Sequence, residues 1–119
     1  MSHVDLPILG MTFSKVTREP HDGSERIVFE TEAGVRYIMM HHQDCCESVN
    51  IEDIDGDLQD LVGSPITRAE EASNGEDAEY AHSTWTFYRF ATIRGDVHIR
   101  WYGESNGYYS EAVYFYKEE

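Results

Sequence analysis

The chain has 119 residues, a formal net charge of −14, 40% hydrophobic residues and 13% aromatics. That supplies apolar surface for one core and leaves no room for a second domain, which excludes a disordered chain and a multidomain enzyme. Such acidity repels nucleic acid and favours cations or a protein partner with a basic surface, so no direct nucleic-acid binding is expected.

The N-terminus has neither a basic n-region nor an apolar h-region, and no run approaches the roughly 20 apolar residues of a membrane span. A soluble, cytoplasmic protein with no membrane contact is therefore expected. The charge is unevenly spread: residues 44–79 hold twelve acids against Arg68, a net of −11, while the flanking thirds are nearly balanced.

Residues 8–18 read as a first strand interrupted by Gly10, and residues 19–24 as a turn on Pro20 and Asp22-Gly23. Residues 26–30 and 35–40 are β-rich runs joined by Glu32-Ala33-Gly34, which predicts a hairpin. Residues 49–54 alternate weakly and read as a short strand. Asp57 then caps a brief helix in which Leu58, Leu61 and Val62 share one face, with Gly63 and Pro65 ending it. Residues 64–72 return as a strand, and about 73–81 read as a mobile acidic loop.

The last third carries the clearest sheet signal. Residues 84–93 are β-branched and aromatic, and Gly95-Asp96 reads as a two-residue turn. Val97, Ile99 and Trp101 then line one face, with His98, Arg100 and Tyr102 on the other. Residues 109–116 read as the third strand of an antiparallel meander. The expectation is one compact domain over residues 1–119, mainly β with one short helix.

The densest chemistry lies at residues 41–57. His41, His42, Asp44, Cys45, Cys46 and Glu47 are competent ligands for Zn or another divalent cation. Against that, adjacent histidines on a strand point to opposite faces, and no C-x-x-C unit is present. The plainer reading makes the cysteines small buried hydrophobes and gives Asp44 and Ser48 to turn backbone. Neighbouring Cα atoms lie about 3.8 Å apart, below the usual disulfide span, so two free thiols are expected. Asp53, Asp55 and Asp57 imitate a calcium loop, but Leu58 stands where its glycine belongs and Ser64 where its glutamate belongs. A nucleophilic Cys45 or Cys46 with His42 as base needs positive surroundings that this segment lacks.

Two further surfaces stand out. Glu52, Asp53, Asp55, Asp57, Asp60, Glu70 and Glu71 can present carboxylates to a basic protein. Trp101, Tyr102, Glu104, Asn106, Tyr108 and Tyr109, beside Arg100, can stack a base or hold a peptide, although alternating aromatics also serve simply to pack a sheet.

The runs His42-Gln43-Asp44-Cys45-Cys46-Glu47-Ser48-Val49, Ile51-Glu52-Asp53, Gly56-Asp57-Leu58, Gly63-Ser64-Pro65-Ile66, Thr84-Trp85-Thr86-Phe87-Tyr88 and Ile99-Arg100-Trp101-Tyr102-Gly103-Glu104-Ser105-Asn106-Gly107-Tyr108-Tyr109 carry a likeness. Over roughly residues 10 to 117 the chain resembles a family of small bacteriophage and prophage proteins of unknown function. The resemblance implies a phage setting and one compact domain, and it supplies no reaction. The leading expectation is a non-enzymatic acidic module that modulates a host or defence protein by direct contact in the infected cell. A metal-dependent hydrolase or nuclease using residues 41–57, and a nucleotide-sequestering protein using the aromatic loops, are the alternatives. A homo-oligomer is compatible with each.

Overall fold

A computed structural model gives the fold and describes residues 3–21, 23–78, 81–106 and 110–118. Among these, nine strands form two antiparallel sheets. One sheet runs in the order β1 (His3–Asp5), β6 (Arg68–Ala78), β7 (Ala81–Thr92), β8 (Gly95–Ser105) and β5 (Ser48–Asp55). The other is β2 (Lys15–His21), β3 (Ser24–Glu30), β4 (Arg36–Met40) and β9 (Tyr114–Lys117).

The sheets are held together by one apolar interior drawn from both. Val16, Ile27, Phe29 and Met39 on the four-stranded side meet Val49, Ile51, Tyr88, Phe90, Val97, Ile99 and Trp101 on the other. Phe29 lies at the centre, with ring centroids 5.4 Å from Phe13, 5.1 Å from Phe90 and 5.5 Å from Phe115. The fully buried Trp101 donates its indole N–H to the sulfur of Met39 at 3.2 Å, satisfying across the sheets the one polar atom it brings inside. Leu61, on the brief 3-10 turn Leu58–Leu61, closes one end of this interior.

The expected hairpin of residues 26–30 and 35–40 is present as β3–β4. Val97, Ile99 and Trp101 are buried while His98, Arg100 and Tyr102 are half-buried, as alternation requires. Asp57 caps the turn at 58–61 through Oδ1, which accepts from the Gln59 amide at 2.9 Å; the element is a 3-10 turn rather than an α-helix.

Other expectations are corrected. No strand spans residues 8–14. Gly10, at a φ of 83°, turns the chain so that Leu6, Ile8 and Phe13 all point into the interior. Strand β6 begins at Arg68, not at residue 64. Residues 73–78 are not a loop: they continue β6, paired from Ser73 opposite Thr86 to Ala78 opposite Ala81, while residues 79–80 lie outside the described set. A polar composition suits a strand wherever backbone pairing alone holds it. The β7–β8 turn falls on Ile93-Arg94, with Thr92 opposite Gly95. Finally, β9 does not extend a meander. It crosses to the second sheet and pairs with β4, because Phe115 there joins Phe29, Tyr37 and Phe90.

Candidate functional site

The cluster at residues 41–47 is a brace. His41 and Glu47 are both buried, with side chains 1% exposed, and His41 Nε2 lies 3.0 Å from Glu47 Oε2. His41 Nδ1 faces the Ala112 carbonyl at 2.7 Å. Both ring nitrogens thus meet acceptors. Glu47 also accepts from the backbone amides of Asp44 and Cys45, each at 2.9 Å, and from Gln43 Nε2 at 3.3 Å. Burial alone would raise this carboxyl, but backbone donors and His41 overcome it and hold the group at about 2, below its ordinary 4.5.

Of the six predicted metal ligands, His41 and Glu47 thus meet, and the other four side chains are placed elsewhere. His42 points the opposite way and lies against Tyr114 and Tyr116, with centroids 5.2 and 5.5 Å away. Asp44 is exposed. Cys45 and Cys46 are joined to each other in a vicinal disulfide, not free thiols, and both are exposed rather than packed inside. Among the described residues, no group of three His, Cys, Asp or Glu side chains is placed to hold a metal ion.

The acidic residues divide by location. Asp53 and Asp55 stand on β5, an edge strand, opposite Arg100 and His98, so they belong to the outer face of the five-stranded sheet. A bulge between Ile51 and Asp53 turns Glu52 to the same side, where it meets Arg100 at 2.8 Å. Glu70 joins this face from β6, opposite Arg89. Asp57 and Asp60 sit at the end of the sandwich on the 3-10 turn and its cap. Glu71 faces inward and accepts from the Tyr88 hydroxyl.

The aromatic surface also differs from expectation. Trp101 belongs to the interior, and Tyr108 and Tyr109 lie outside the described residues. Tyr102 does lie on the outer face, but its companions are Trp85 and Phe87 of β7, which sequence reasoning passed over. Trp85 lies 4.5 Å from Tyr102 and 6.5 Å from Phe87 between ring centroids, and the Arg100 guanidinium sits 5.5 Å from the Trp85 centroid. Glu104 and Asn106 are exposed beyond them. Across this face runs a hollow of about 460 Å³ lined by Asp53, Asp55, Glu70, Ala72, Phe87 and Arg89, among others. Trp85 and Phe87 lie in a run, residues 84–90, that carries aromatic side chains on both of its faces. The signal that separates them is the β7–β8 register, which sets Phe87 opposite Arg100 and Trp85 opposite Tyr102.

A second polar cluster lies on the inner side. The buried Glu111 carboxylate accepts from Thr84 Oγ1 at 2.6 Å and from Ser105, and meets His82 Nδ1 at 2.6 Å. Burial pushes this carboxyl up, and these donors more than compensate, leaving it below the ordinary range. Glu111 thereby fastens the segment before β9 to β7 and β8.

Fold and surface together define a small acidic protein of two antiparallel sheets, with an aromatic outer face bordered by carboxylates. Among the described residues no helix is long and apolar enough to cross a membrane. Residues 7–115 match the family described as "Domain of unknown function (DUF7448)", and the chain belongs to that family. No curated protein and no solved structure matches it.

Proposed function

We propose that this protein is a non-enzymatic binding module that docks on a basic surface of another protein. In the phage setting its resemblance implies, that partner is a host or defence protein in the cytoplasm of the infected cell, and contact modulates or inhibits it. One observation carries the reading: the exposed carboxylates of β5 and the half-buried Glu70 of β6 share a sheet face with partly exposed Trp85, Phe87 and Tyr102. Aromatic and arginine side chains dominate the energetics of protein interfaces, and a carboxylate rim steers a basic partner and rejects others.

The test is capture from host lysate with the tethered protein, comparing it with a variant carrying Glu52→Gln, Asp53→Asn and Asp55→Asn. A partner retained at low salt, released as ionic strength rises, and lost by the triple variant is the expected result. Retention that ignores both salt and the three substitutions would refute the proposal.

A further inference from the structure

We infer that the hollow on the outer face of the five-stranded sheet is a receptor for an arginine side chain of the protein partner. The inference rests on the binding-module reading and names the chemistry of its contact. The sheet already seats one guanidinium of its own. Arg100 lies over the Trp85 ring at 5.5 Å and ends on Glu52 at 2.8 Å, an aromatic plane and a carboxylate acting together.

The same two devices recur beside it without an occupant from this chain. Phe87 follows Trp85 on the same side of β7, its ring within 11° of parallel. Asp53 and Asp55 stand on β5, exposed, and among the described residues neither carboxylate has an ion pair or hydrogen bond. Phe87 and Asp53 are separated by β8, so about two strand spacings, near 10 Å, lie between them. That width suits an arginine whose aliphatic stem lies over Phe87 and whose planar head reaches the carboxylates. Two carboxylates two residues apart on one strand can engage both edges of a guanidinium, which an ammonium point charge does not exploit. Arg89, His98 and Arg100 also line the hollow; Arg100 stands on β8 between Phe87 and Asp53 with its head held by Glu52, and Arg89 directs the incoming cation to the β5 side. The net −14 of the chain, concentrated in residues 44–79, supplies the complementary long-range field.

The probe is a hexa-arginine peptide, followed through the fluorescence of Trp85 and by calorimetry, with hexa-lysine alongside. The paired variant Asp53→Asn with Asp55→Asn is compared with Glu32→Gln with Asp44→Asn, which removes the same charge from exposed turns elsewhere. We expect hexa-arginine affinity to fall about tenfold in the first variant and less than about twofold in the second. Hexa-lysine should bind the wild-type protein more weakly than hexa-arginine. Equal weakening by both variants would overturn the receptor while leaving the general acidic reading intact. Equal affinity for the two peptides would overturn the assignment to arginine. No binding of hexa-arginine by the wild-type protein at low salt would overturn both the receptor and the reading on which it rests.

Discussion

Replacing Glu47 with glutamine separates a structural carboxylate from a decorative one. Each carboxylate oxygen meets two donors: Oε2 faces His41 Nε2 and the Asp44 amide, and Oε1 faces the Cys45 amide and Gln43 Nε2. Whichever way the glutamine amide is turned, its NH₂ group confronts a pair of donors in a site that water does not reach. Two charge-assisted hydrogen bonds are lost and two buried donors are left facing an NH₂ group, a cost of about 3–5 kcal/mol. On a domain of this size that lowers Tm by roughly 10–20 °C at neutral pH. The acid response should change as well. The folded carboxyl at about 2 lies below its ordinary value of 4.5, so its contribution is present above pH 4.5 and is lost as pH falls towards 2. The wild-type protein should therefore lose stability across that window more steeply than Glu47→Gln. Thermal melts followed by the fluorescence of buried Trp101 and by circular dichroism, repeated from pH 7 to 2, measure both effects. An unchanged Tm at pH 7, or parallel pH profiles for the two proteins, would refute the reasoning.

Glu111→Gln should behave in the same sense, losing its ties to His82, Thr84 and Ser105, with a flattened acid limb in chemical denaturation because its carboxyl is also held low. Phe29→Ala empties the junction of Phe13, Phe90 and Phe115 and should cost about 3–5 kcal/mol in urea unfolding. Gly56→Ala should destabilise by about 2 kcal/mol or more, since φ there is +109° and a Cβ would sit 2.5 Å from the Asp96 carbonyl oxygen. Gly34→Ala, at a φ of +88° with nothing near the added carbon, should cost only about 1 kcal/mol in the same melt. Acrylamide should quench one tryptophan population, Trp85, and leave Trp101 shielded.

Much of the fold was legible where a local rule decides it. The Glu32-Ala33-Gly34 turn pairs β3 with β4, Asp57 caps Leu58–Leu61, and alternation in β8 separates Val97, Ile99 and Trp101 from His98, Arg100 and Tyr102. His41 and His42 do face opposite ways, as strand alternation would have it, although β4 ends at Met40. Where both faces of a run carry similar side chains, as in residues 84–90, the period conveys nothing, and Trp85 and Phe87 went unnoticed.

Composition, charge and side-chain period were enough to determine a single acidic, antiparallel β domain, because each acts within a few residues or over the whole chain at once. Tertiary structure alone decided that β9 joins β4 rather than β8, since that choice depends on which distant surface buries Phe115. It alone turned the densest cluster of reactive side chains into a brace. The Ala112 carbonyl that meets His41 Nδ1 lies 71 residues from the histidine, and no spacing rule reaches that far.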